Sequence, residues 1–121
     1  MPRRDRVLAD AMDAAWSITD ERQKVLTLAG IAGSVAVFDL DRAVLLIADA
    51  ERIARSITSE DAKAYILARV VGAVADADPD RVERIARSIT IEYYRAGALA
   101  RIVQAAAAAD HKVYSDSEDF T

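Results

Sequence analysis

The sequence predicts an all-α fold, a short α-solenoid of three stacked helix-turn-helix repeats with six antiparallel helices. Three observations predict it. The octet Glu51-Arg52-Ile53-Ala54-Arg55-Ser56-Ile57-Thr58 returns letter for letter at Glu83-Arg84-Ile85-Ala86-Arg87-Ser88-Ile89-Thr90, with a weaker copy at Met12-Asp13-Ala14-Ala15-Trp16-Ser17-Ile18-Thr19. Apolar residues precede each threonine by one, four, five and eight positions, which is one stripe of an amphipathic helix. The copies also differ in length by an amount that a helix tolerates. Thr19, Thr58 and Thr90 stand 39 and 32 residues apart, so the third unit is shorter by 7. Seven residues is about two helical turns and a drift of about 20°. An odd deletion in a strand would instead turn every side chain to the other face.

The units are 1–39, 40–78 and 79–110. In each, the first helix ends at the Ser-Ile-Thr turn. The stripe is Val7, Leu8, Ala11, Ala14, Ala15 and Ile18 in the first unit, Leu46, Ile47, Ala50, Ile53, Ala54 and Ile57 in the second, and Ile85, Ala86 and Ile89 in the third. The threonine is expected to N-cap the second helix, since its hydroxyl can accept from free N–H groups there. Acids follow it (Asp20, Glu21; Glu60, Asp61; Glu92), where the helix dipole favours them. Thr58 with Asp61 has the form of a capping box. In the second helices, Leu28-Ala29, Leu67-Ala68 and Leu99-Ala100 are equivalent, and the always-small position predicts close helix approach. Asp39 and Asp78 close one unit and cap the next, Asp78 with a proline at the first helical position. The helices fall near 3–18, 20–38, 40–57, 59–77, 79–89 and 91–109. Connections this short force sequential helices to lie antiparallel. A compact six-helix bundle competes, but an identical two-sided stripe in every copy favours stacking. The segment 111–121 has lost the repeat, is acidic, and is expected to be disordered.

The run Asp78-Pro79-Asp80-Arg81-Val82-Glu83-Arg84-Ile85-Ala86-Arg87-Ser88-Ile89-Thr90 resembles an alanine- and arginine-rich tandem helical repeat of high-GC bacteria. In that group, long arrays of such units are joined to large multidomain proteins, some with signalling or nucleotide-dependent switch domains. The resemblance covers 1–110. It implies a helical-repeat fold of the tetratricopeptide or HEAT kind and a protein-interaction role, and it brings no catalytic residues. The tetratricopeptide unit itself is 34 residues long, and its aromatic and glycine positions in the first helix are absent here.

Composition bounds the function. A chain of 121 residues holds one core. Net charge is −4, which disfavours binding to a phosphate backbone. There is no cysteine, so disulfide and thiolate chemistry are excluded, and the default compartment is a reducing cytoplasm. Asp10 and Asp13 interrupt the stretch after the basic N-terminus, so a secretory leader is not expected. No apolar run is long enough for a spanning helix.

The candidate site is an arginine ladder. Arg52 and Arg84, Arg55 and Arg87, and Arg69 and Arg101 are equivalent pairs that stacking makes neighbours. Such a ladder can take an acidic peptide, a carboxylate or a phosphate through forked guanidinium contacts. Against this, Glu51, Glu83 and Asp80 stand four residues before Arg55, Arg87 and Arg84 and can satisfy them locally. Trp16 occupies the ladder position in the first unit, either as an exposed anchor or as part of an N-terminal cap. His111 has no Cys or spaced His around it, so neither metal nor cofactor is expected. No nucleophile–base set is present, and Gly30-Ile31-Ala32-Gly33 lies within a helix where it permits close packing. The last helix ends Ala105-Ala106-Ala107-Ala108-Ala109, more like an interior unit than a polar cap, which predicts a homo-oligomer formed through the end repeats. The expected function is thus a non-enzymatic protein-interaction or scaffold module. The alternative is a regulatory sensor whose ladder binds an anionic ligand.

Overall fold

A computed structural model describes residues 2–118, with side chains described for 2–111. Among the described residues the chain forms six helices and no strand: α1 (Arg3–Trp16), α2 (Glu21–Val35), α3 (Leu40–Arg55), α4 (Glu60–Val74), α5 (Pro79–Ser88) and α6 (Glu92–Glu118). The second helices of the units form one layer, with α4 packed between α2 and α6. The first helices lie beside that layer, with α3 seated against both α2 and α4, and α5 against α4 and α6.

The Ser-Ile-Thr turn is built three times with the same chemistry. Ser17, Ser56 and Ser88 donate their hydroxyls to the carbonyls of Ala14, Ile53 and Ile85 at 2.8, 2.6 and 2.6 Å, closing the first helix. The isoleucine that follows points inward, Ile57 and Ile89 being buried. The threonine caps were misplaced by one residue. Asp20 accepts from Gln23 N–H at 2.9 Å, and Ser59 accepts from Ala62 N–H at 3.2 Å. Asp and Ser cap at least as well as Thr, and the extra residue lets the isoleucine reach the core before the new helix starts. In the third unit the same position is Ile91, which has no side-chain acceptor. There Arg95 reaches back instead and donates to the Ile89 carbonyl at 3.1 Å. Asp39 and Asp78 do cap as expected, accepting from Arg42 and Arg81 N–H at 3.1 and 3.4 Å.

The core follows the predicted stripes in the second and third units, while in the first Leu8 and Ala15 are buried, Ala11 and Ile18 half-buried, and Val7 and Ala14 exposed. Ala50 and Ala54 of α3, and Val82, Ile85 and Ala86 of α5, are buried, as are Leu28, Val35, Leu67, Val70 and Val74 of the second helices. Helices α2 and α4 approach closely at Gly33: a Cβ there would lie 2.7 Å from the Ala73 carbonyl oxygen.

The shortened third unit shapes the end of the molecule. Helix α5 has 10 residues where α3 has 16. Helix α6, with 27 residues, therefore outlasts α5. Among the α6 side chains described, Ala105 is the last half-buried one, and residues 106–111 are exposed. The helix runs on to Glu118, through most of the segment expected to be disordered; residues 119–121 of that segment lie outside the described residues.

Candidate functional site

The six ladder arginines separate into two groups with different surroundings. Arg52, Arg55, Arg84 and Arg87, on α3 and α5, are engaged with acids. Arg52 pairs with Asp49 at 3.4 Å, and Arg87 with Glu83 at 3.0 Å. Arg55 pairs with Glu51 at 2.8 Å and donates to Ser88 Oγ at 3.0 Å across the unit boundary. Arg84 approaches Glu51 at 3.7 Å rather than Asp80.

Glu51 is the centre of this arrangement. Its side chain is only 12% exposed. Besides Arg55 and Arg84 it accepts from Arg81 at 3.2 Å. Arg81 Nε also lies 3.4 Å from Asp78 Oδ2, outside hydrogen-bond geometry. One carboxylate of α3 thus gathers two arginines of α5 and ties the second unit to the third. This is a joint between repeats, and its guanidinium groups are already committed. The Glu51–Arg55 spacing was visible along one helix. The share taken by Arg81 was not, because that contact spans 30 residues of sequence.

Arg69 and Arg101 have another setting. Together with Tyr65, Tyr93, Tyr94 and Gly97 they line a groove of about 960 Å³ across α2, α4 and α6. Small side chains from all three helices make its floor, which is why the groove exists. Tyr94 stands edge-on between Tyr65 and Tyr93, with ring centroids 5.8 and 5.4 Å away. Tyr93 is 82% exposed. Arg69 donates to Tyr65 Oη at 2.8 Å, and Arg101 lies over Gly72, donating to its carbonyl at 3.4 Å. No carboxylate lines the groove, and among the described residues neither arginine is in an ion pair. The tyrosines have no common repeat register, so the sequence alone places them at helix ends without showing that they meet.

Trp16 ends α1, is 38% exposed, and carries Lys24 Nζ at 5.9 Å from its ring. It is remote in kind from both arginine groups, with a lysine on its ring and no rung beside it. A second apolar cleft of about 470 Å³ lies between α1 and α2, where Arg4 covers the Phe38 ring at 3.9 Å. His111 is exposed on α6. Among the described residues no cluster of three His, Cys, Asp or Glu could hold a metal ion, and no helix is long and apolar enough to cross a membrane. Compared with protein-family models, curated proteins and solved structures, the chain matches none.

Proposed function

We infer that the chain is a protein-interaction module, a non-enzymatic scaffold piece made of helical repeats, and that it associates through the uncovered face of its last unit. One comparison internal to the chain carries this reading. At three equivalent positions of the second helices the residue is buried in the first two units and more open in the third. Val25 and Ala64 are buried, while their counterpart Ala96 is exposed. Val35 and Val74 are buried, while Ala106 is exposed. Leu28 and Leu67 are buried, while Leu99 is half-buried. The same stripe that builds the stack is thus presented, unfilled, at its end. Apolar surface of this kind gains roughly 25 cal/mol for each Å² removed from water, and solenoids without a polar terminal unit associate through such faces. A cytoplasmic location and resemblance to the bacterial tandem repeats fit the same reading.

The test is sedimentation velocity of the 13.1 kDa chain from about 10 µM to 1 mM. The expected result is a mass above the monomer that rises with concentration. A monomer throughout, with no captured protein in cross-linking, overturns the reading. A second reading, a sensor of anionic ligands, is favoured by Arg69 and Arg101, whose groove holds no carboxylate. It predicts a raised melting temperature with millimolar citrate or inorganic phosphate, lost in Arg69→Ala/Arg101→Ala.

A further inference from the structure

Two features of the structure offer complementary chemistry. The first is the groove, whose charged lining is cationic and whose walls are aromatic. The second is the overhang of α6. Helix α6 has 27 residues against 10 in α5, and its residues 106–111 are exposed. Exposed helical residues such as 106–111 are marginal without tertiary support. The sequence at 110–121 carries Asp110, Asp116, Glu118 and Asp119 against Lys112, with Tyr114 and Phe120 among them. Its chemistry is thus complementary to the groove: carboxylates for two guanidinium groups, and large rings for a floor of small residues edged by tyrosines.

One copy cannot join the two features. The groove lining on α6 ends at Arg101, and the helix then continues unbroken to Glu118. At about 1.5 Å per residue that carries the chain about 25 Å away from its own groove. Two copies can join them. Groove and overhang lie on one continuous helix, so each copy can place its overhang over the other's groove about a two-fold axis, a closed and self-complementary arrangement. We propose that the chain forms a reciprocal homodimer in which the acidic 110–121 segment of each copy docks into the Tyr65/Tyr93/Tyr94 groove of the other, its carboxylates engaging Arg69 and Arg101. This deepens the reading above, on which it rests, by naming the second copy as partner and the groove edge of the last unit as the contact. Ala96 belongs both to the groove and to the uncovered stripe.

The test is a charge swap on the full chain, read by sedimentation equilibrium. One variant is Arg69→Glu/Arg101→Glu; the other is Asp116→Lys/Glu118→Lys/Asp119→Lys. Arg69 and Arg101 are exposed, and circular dichroism checks that each variant keeps its helices. Each alone is expected to weaken dimerisation at least tenfold, because like charges then face each other at both contacts. An equimolar mixture is expected to return to within about threefold of the original affinity, because both contacts of the heterodimer are again of opposite sign. A dimer indifferent to both reversals overturns this contact and leaves the interaction reading standing. A mixture no tighter than the separate variants also overturns it. A monomer at 1 mM overturns the contact and the self-association reading together.

Discussion

Alanine at Gly33 and alanine at Gly30 should have opposite effects, although both glycines lie in the same helix three residues apart. A Cβ at Gly33 would stand 2.7 Å from the Ala73 carbonyl oxygen, whereas ordinary C···O approach is about 3.3 Å or more. The obstacle is backbone, so no rotamer relieves it. Helices α2 and α4 must separate by roughly half an ångström, and overpacking of this kind costs about 1–3 kcal/mol. Against that, alanine is favoured over glycine inside a helix by about 1 kcal/mol. The net expectation for Gly33→Ala is a loss of about 0–2 kcal/mol. At Gly30 a Cβ meets nothing within 4 Å, leaving only the gain of about 1 kcal/mol. The propensity term cancels between the two variants, so their difference isolates the helix contact at about 1–3 kcal/mol. At about 3–5 °C per kcal/mol for a domain of this length, the two melting temperatures should lie about 3–15 °C apart, with Gly30→Ala the higher. Thermal unfolding followed by circular dichroism, at one protein concentration, measures it. Equal melting temperatures would refute the close approach of α2 and α4 at Gly33.

Other substitutions address the joints and caps. Glu51→Gln should cost about 1–3 kcal/mol in urea unfolding, because three arginines lose their shared carboxylate in a mostly enclosed position. Glu83→Gln, whose side chain is 50% exposed and pairs with Arg87 alone, should stay within about 0.5 kcal/mol of the parent. Asp20→Ala should lose about 0.5–2 kcal/mol and Thr19→Ala almost nothing, since Asp20 holds the cap; the reverse order would restore the threonine as cap. Val74→Ala should cost about 1–3 kcal/mol, its side chain being fully buried, whereas Val103→Ala, with Val103 66% exposed, should barely alter stability.

The number of helices, their antiparallel order and their inward stripes were legible in the chain because each depends on short-range periodicity. Ile53, Ala54 and Ile57 repeat at helical spacing, and so do Ile85, Ala86 and Ile89; no distant partner is needed to know which way they face. Asp39 and Asp78 likewise act on N–H groups three residues away. The cap positions were off by one because Thr, Asp and Ser are all competent acceptors in adjacent places. Only the inward turn of the isoleucine, a packing event, selects Asp20 and Ser59. The length of α6 was also missed, since composition at 111–118 marks polarity and not conformation.

What the sequence by itself determined is the repeated unit: a helix, a Ser-Ile-Thr turn and a second helix, three times over, with one copy short by two turns. What the tertiary structure decided is the fate of the arginines. Equivalent residues looked like rungs of one ladder, yet stacking brings Arg81 and Arg84 to Glu51, which already holds Arg55 of its own helix, and leaves Arg69 and Arg101 beside three tyrosines in a groove whose described lining has no acid. A guanidinium group reaches several ångströms from its backbone, so beside the partners in its own helix it can meet groups of whichever helix packs alongside. Such contacts are made between units, at separations of about thirty residues, where periodicity along one helix carries no information.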